Sequence, residues 1–349
     1  MSRLGMPRGG CNRGMALVLV LAALVFLAAL SLQLMQSVNR QTDAAFGLAR
    51  QLRLDALLLG GQELARAALL MDQSKNQFDS FFDVWNRLDE TRIQALAGGD
   101  SKLTVRIADL SGRLQVNALG KTADERPPEA GAADRAQAEA QARARYRKVW
   151  RRFLASGRFA IQPEEIDPLL DALADWVDRD QTERPLGAED GWYQTQEPPY
   201  APRNAPIRSE EELLLVRGMS RALLYGDAEH EGIAAYITVL GDDAMLNPNT
   251  APEAVLLALL PEMRMDNVRN IGAFRSDPEN LAALADPGWL ALVPGLPADL
   301  GGDMPLFTVK SRFFAVQVLA WQGRFRRLGS GLIERRDQGA PVLRHWQID

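Results

Sequence analysis

The chain has 349 residues, 47% apolar and 24% charged, which leaves room for roughly two or three domains with real cores and excludes a wholly disordered or collagen-like chain. Its net charge of −5 argues against a general nucleic-acid binder, whose phosphate contacts need a basic face. One cysteine excludes an intramolecular disulfide and any cysteine-based zinc site, and two histidines leave little for histidine-centred catalysis.

The first segment, Met1 to Gly14, carries Arg3, Arg8 and Arg13 and no acid, and sixteen uninterrupted apolar residues follow it, Met15 to Leu30. Ser31 to Met35 extend the run to about 20 residues, enough at ~1.5 Å each to cross a ~30 Å hydrocarbon layer. The basic flank stays in the cytoplasm, so the remainder is expected outside it. A cleaved secretory signal would have to use Ala28-Ala29-Leu30-Ser31, a poor small-x-small site, and a lipoprotein signal places its cysteine after the run, whereas Cys11 precedes it. A plain uncleaved anchor is the simplest alternative. Arg13-Gly14 directly before the run resembles a type IV prepilin leader, which implies cleavage between Gly14 and Met15 by a prepilin peptidase and methylation of Met15. Pilins and pseudopilins mostly carry a glutamate five residues into the mature chain; here that position is Leu19.

Beyond Met35 the pattern becomes amphipathic. Leu34, Val38, Ala45, Leu48, Leu52 and Leu59 lie near one helical face, with Arg40, Asp43, Arg50, Arg53 and Asp55 mostly off it. One helix from about Met15 to about Met71 is expected, membrane-spanning first and then packed on a soluble domain. Gly47, Gly60 and Gly61 would each cost about 1 kcal/mol in it, which leaves room for a kink or break near Gly60. From Lys102 to Asn117, Leu103, Val105 and Ile107 alternate with polar residues, Asp109-Leu110-Ser111-Gly112 makes a turn, and Leu114 and Val116 resume, a β-hairpin signal. A linker around Pro127-Pro128 leads into helices at about Ala136 to Ala155, Pro163 to Asp178, Ser209 to Gly218 and Ala251 to Leu260. Ser209 with Glu212 has the capping-box pattern, and Thr250 precedes another helix start. Pro305 to Leu332 returns to strand composition. A sheet split by a helical insertion accounts for this order, since neither β fragment alone has enough strands to be stable.

The stretch Glu164 to Glu212 holds fourteen acids against four arginines, a local balance of −10. Asp178 and Asp180 at a helix end, followed by Glu189 and Asp190 in a glycine-containing loop, can gather the hard oxygens that a calcium ion takes, although no EF-hand loop is present and loop acids often only cap backbone amides. Nothing fixes a glycosidase pair by spacing, no G-x-S-x-G elbow occurs, His230 sits in the polar segment Glu229-His230-Glu231 and His345 lies near the C-terminus, so an enzyme is not expected. Leu246 to Val255 has the opening of a helix-hairpin-helix module but lacks its Gly-hydrophobic-Gly hairpin, and no nucleic-acid partner is expected.

Asp175-Trp176-Val177-Asp178-Arg179-Asp180, Gly187 to Tyr193, Pro199-Tyr200, Asn204-Ala205-Pro206, Ser209 to Met219 and Leu246-Asn247-Pro248-Asn249-Thr250-Ala251-Pro252 resemble, in that order, segments of the general secretion pathway protein K family. With the leader and Leu103 to Asn117, the resemblance covers nearly the whole chain. It implies an α+β, pilin-like fold, a long N-terminal helix on an antiparallel sheet with a large all-α domain inserted between the strands. The expected divisions are a leader 1–14, the helix and first part of the sheet 15–120, the inserted domain 121–304 and the remaining strands 305–349. It implies a minor pseudopilin at the tip of the type II secretion pseudopilus, acting in filament assembly and protein export, with minor pseudopilins I and J, then H and the major pseudopilin G, as partners. The expected location is the bacterial inner membrane, single-pass, with the C-terminal domain in the periplasm. Leu19, Val38, Ala45 and Leu52 are the expected partner contacts, and family members can bind calcium. The alternative is a membrane-anchored periplasmic enzyme or metal-binding module unrelated to filaments.

Overall fold

The computed structural model describes residues 12–120, 132–297, 300, 306–336 and 339–349. Most of the expected leader, including Cys11, and the Pro127-Pro128 linker lie outside the described residues.

α1 (Asn12–Lys75) is one unbroken helix of 64 residues, about 96 Å long at 1.5 Å per residue. No residue from Met15 to Arg53 is buried. From Leu54 onward a second stripe, Leu54, Leu58, Ala65, Ala68 and Leu69, is at most 5% exposed and forms the helix side of one core. Gly61 belongs to this stripe and breaks nothing. A Cβ there would stand 2.5 Å from Val318 Cγ1, so glycine is what lets the helix axis come down onto the sheet. α2 (Glu90–Ala97) is capped by Asp89, whose carboxylate accepts from the Thr91 and Arg92 amides.

β1 (Ser101–Asp109) shows strict alternation, with Leu103, Val105 and Ile107 inward. The hairpin expected after it does not form. The Asp109 turn is present, closed by the Ser111 amide on Asp109 Oδ1 at 2.7 Å, but β2 (Leu114–Gln115) leaves the sheet and pairs in parallel with β3 (Ile237–Thr238). The antiparallel partner of β1 is β4 (Phe313–Gln322), in register from Ser101 opposite Gln322 to Asp109 opposite Phe314. A local turn signal has lost to a distant strand with a better matched inner face, Phe314, Val316, Val318 and Ala320. β5 (Phe325–Glu334) and β6 (Val342–Ile348) complete a four-stranded antiparallel sheet in the order β1-β4-β5-β6. The split sheet is thus present, and the fold is α+β and pilin-like.

Between β1 and β4 lie α3 (Ala132–Leu154), α4 (Pro163–Val177), α5 (Asp190–Tyr193), α6 (Arg221–Tyr225), α7 (Glu253–Leu259) and α8 (Met265–Ser276), joined by short 3-10 turns. Trp150, Phe153, Leu169, Trp176, Tyr193, Leu224, Leu256 and Ile271 fill a second, larger core. Leu114, Val116 and Ala118 are buried in this core rather than under the sheet, so the packing changes hands near Ser111 to Arg113 rather than at residue 120. Ser209 makes no side-chain cap for the 3-10 turn Glu210–Leu215; Glu212 instead accepts from Trp176 Nε1 at 3.0 Å and Arg203 at 3.2 Å. Thr250 does not cap α7 either, because its hydroxyl donates to Asp109 across the two modules.

Candidate functional site

Three features stand out from the fold. The first is the bare length of α1. Met15 onward is a stretch long and apolar enough to cross a membrane, and none of that stretch is buried. Leu19, Val38 and Leu52 are 67%, 51% and 61% exposed, and Ala45 is exposed with them. The stripe seen in the sequence therefore faces away from the protein's own sheet, and the stripe that packs on the sheet is a different one, centred on Leu58 and Ala65.

The second feature is the acidic loop after α4. Asp175 is fully buried on that helix and Asp178 caps its C-terminal end. Both take the Arg184 guanidinium, each at 2.5 Å, and Asp175 Oδ2 also accepts from the Ala188 amide at 2.9 Å. Gly187 lies against this carboxylate; a Cβ there would be 1.8 Å from Asp175 Oδ2. Glu189 is 4% exposed, and neither of its carboxylate oxygens has a hydrogen-bond partner; Asp178 Oδ1 is similarly bare. Burial, followed by the charges of Asp175, Asp178, Asp180 and Asp190, pushes the Glu189 carboxyl up to about 7. Asp180 is exposed and accepts from the Thr182 amide at 2.9 Å. Of the residues expected to bind metal, Asp178 and Glu189 are the buried pair with unmet oxygens, and Asp180 and Asp190 stand at the rim. Arg184, an internal counter-ion, was not legible from spacing. Bare oxygens on Glu189 and Asp178, with the charges of Asp180 and Asp190 acting on Glu189, are donors suited to a hard divalent cation, and among the described residues no three of these acids bring ligand atoms within 4.8 Å of one another.

The third feature joins the modules, and no pattern in the sequence points to it. Asp72, Asp79 and Asp83 bring carboxylate oxygens within 4.8 Å of one another. Every one of those oxygens is engaged. Arg335 bonds Asp79 Oδ1 and Asp72 Oδ2, Asn76 donates to Asp72 and Asp83, and the amides of Ser80 and Ser311 donate to Asp83 and Asp79. A guanidinium thus pairs with two of the three carboxylates, and neutral donors take up the third. Alongside, buried Asp109 accepts from the hydroxyls of Thr250 and Ser311, both at 2.5 Å. Asn247 and Asn249 each donate to the Asp79 carbonyl at 3.1 Å, and the Trp289 indole donates to Asn249 at 2.7 Å. Burial raises the Asp72 carboxyl to about 6, helped by Asp83 and Asp79 and opposed by Arg335. Burial also takes Asp109 to about 6, with Asp79 adding to it.

A family model described as "Type II secretion system (T2SS), protein K" matches residues 112–229, from the turn after β1 through the acidic loop. A type II secretion system protein K from Aeromonas hydrophila is 30% identical over 257 residues, covering 70% of this chain and 70% of that protein. The chain belongs to the type II secretion system protein K family. The Pseudomonas aeruginosa protein K is 29% identical, covering 71% of this chain and 69% of its own, and the Klebsiella pneumoniae protein K is 26% identical over 97% and 98%. Among solved structures, the crystal structure of the GspK-GspI-GspJ complex from enterotoxigenic Escherichia coli contains a chain with TM-score 0.59 and 15% identity, covering 88% of this chain and 99% of that one. At that identity the likeness speaks to the fold, and the fold agrees. As a protein K, the chain is a minor pseudopilin, and α1 is the helix of that pilin plan.

Proposed function

We propose that this chain is the tip subunit of the type II secretion pseudopilus, acting in filament assembly and in export of folded proteins across the outer membrane. The observation that carries the proposal is the placement of bulk along α1. Arg50 lies over the Phe325 ring and Asp55 pairs with Arg327 near one end of the sheet, whereas the junction at Asp79, Ser311 and Arg335 lies just past the last turn of α1. The helical domain hangs from that far end, where it would obstruct a subunit stacked above. Leu19 supports the same reading. Burying an unpaired carboxylate in a bilayer costs at least about 2.5 kcal/mol, so a subunit with no acceptor above it is better served by an apolar side chain.

The bare stripe through Leu34, Val38, Ala45, Leu48 and Leu52 faces neighbouring helices in the filament, with minor pseudopilins I and J as immediate partners, and through them H and the major pseudopilin G. The complex named for the enterotoxigenic relative supports the I and J partnership. The chain is cut between Gly14 and Met15 by the prepilin peptidase and methylated on Met15, remains in the inner membrane through α1, and holds its sheet and helical domain in the periplasm. Asp178, Glu189, Asp180 and Asp190 hold a calcium ion that neutralises the acidic loop and ties it to the end of α4; its chemistry is structural.

The test is co-extraction from membranes that also carry pseudopilins I and J. The three proteins are expected in one detergent-stable complex, with an intact mass for this chain that begins at Met15. Recovery of this chain alone, or with its first fourteen residues retained, would contradict the reading.

A further inference from the structure

The far end of the sheet also carries a cavity of about 730 Å³, open to solvent and remote from both the bare α1 stripe and the acidic loop. Its walls are the last residues of α1 and those just after it, the segment from Lys310 to Arg312, and the strand ends at Glu334 to Arg336 and Arg344. The lining holds five cations, Lys310, Arg312, Arg335, Arg336 and Arg344, against two acids, Asp79 and Glu334. In a chain of net charge −5 this is a concentrated reversal of sign.

The five cations are not equivalent. Arg335 is spent on Asp72 and Asp79 and is structural. Glu334, 2% exposed, is gripped from both sides. Arg312 donates Nε and Nη2 to its Oε1 at 2.8 and 2.5 Å, and Arg344 binds its Oε2. One buried carboxylate thus orients two guanidinium groups whose side chains remain 61% and 48% exposed, with donors left over on each. Lys310 and Arg336 are exposed and have no carboxylate partner among the described residues; Lys310 Nζ reaches only the neutral Gln77 Oε1 at 3.3 Å. The Arg336 backbone is fixed by Gln73, whose amide donates to its carbonyl at 2.7 Å. Lys310, Arg312, Arg336 and Arg344 line a space many times larger than one small oxyanion would fill.

We propose that this cavity is a receptor for an acidic segment of a protein partner, whose carboxylates are taken by Lys310, Arg336 and the free edges of Arg312 and Arg344. The recognition is electrostatic and bidentate, so it is salt-sensitive and prefers several carboxylates in sequence over one.

The full-length chain in neutral detergent is titrated into a fluorescently labelled hexaglutamate peptide, and binding is read by anisotropy. Saturable binding that weakens as sodium chloride rises is expected. Lys310→Ala and Arg336→Ala should each lower affinity about fivefold or more, and the double variant further, with unchanged melting temperatures because both side chains are exposed. Arg92→Ala, on α2 away from the cavity, should bind as the parent does. Equal affinity in the parent and the double variant overturns the proposal. So does displacement of the peptide by inorganic phosphate at matching concentration, which would mark a simple oxyanion site instead.

Discussion

Two acidic clusters in this molecule are alike in composition and opposite in state. At the junction, Asp72 and Asp79 pair with Arg335, Asp83 accepts from Asn76 and the Ser80 amide, and every carboxylate oxygen has a donor. In the loop after α4, Arg184 satisfies Asp175 and half of Asp178 but leaves Glu189 buried with nothing bonded to it. The difference teaches that a count of acids does not mark a cation site. An oxygen for which the fold has supplied no donor is what leaves room for one.

The sharpest way to break the comparison is Arg335→Leu. Removing the one cation of a buried network leaves uncompensated charge, and a loss of about 3–5 kcal/mol is expected in denaturant unfolding of the detergent-solubilised chain. Millimolar calcium should not restore it. If calcium does, the junction accepts an ion after all and the contrast fails.

The loop cluster should behave in the opposite way. Calcium at a hundredfold excess over its Kd should stabilise the parent by about 2.7 kcal/mol through binding to the native state alone. Glu189→Gln and Asp178→Asn should remove most of that gain, read as the shift in melting temperature between calcium and EDTA. No shift in the parent would reduce this loop to a solvated acidic surface. Gly187→Ala refines the point without touching a ligand. Its Cβ collides with Asp175, so a destabilisation of about 1–3 kcal/mol is expected, together with weaker calcium stabilisation.

The smallest effect expected is on pH dependence. Asp72 and Asp109 have folded-state values raised to about 6 from 3.8, so between those values the native state holds more protons than the unfolded chain. Stability should therefore increase as pH falls from about 7 toward 5. Glu189→Gln in EDTA removes the largest contributor from the loop cluster, and its denaturation midpoint should be higher at pH 5 than at pH 7.5. A midpoint that drops over that interval would contradict the burial assigned to the junction carboxylates.

The parts of the fold legible in the sequence were those with a local period. The α1 run, the alternation of Leu103, Val105 and Ile107, and the helix beginning at Pro163 each carry their own signature. The hairpin signal fails because Leu114 and Val116 alternate identically whether they pair with β1 or with β3; only the distant ladder between β1 and β4 decides. Within the 305–349 strand region, β6 carries no clear alternation of its own because its burial is shallow, as befits an edge strand. In the acidic loop, spacing pointed to Asp178 and Glu189 but not to Arg184, whose role depends on how the loop folds back over α4. The junction was invisible for a similar reason. Asp79, Asp109, Asn247 and Arg335 are separated by long stretches of chain, and no local pattern distinguishes a buried asparagine from a turn asparagine.

The junction fixes the helical domain at the far end of α1, and on the proposed reading that domain caps the filament. Immunogold labelling of pseudopili assembled with this chain tagged after Asp349 tests it directly. Gold is expected at one end of each filament only; gold distributed along the shaft would contradict the tip placement.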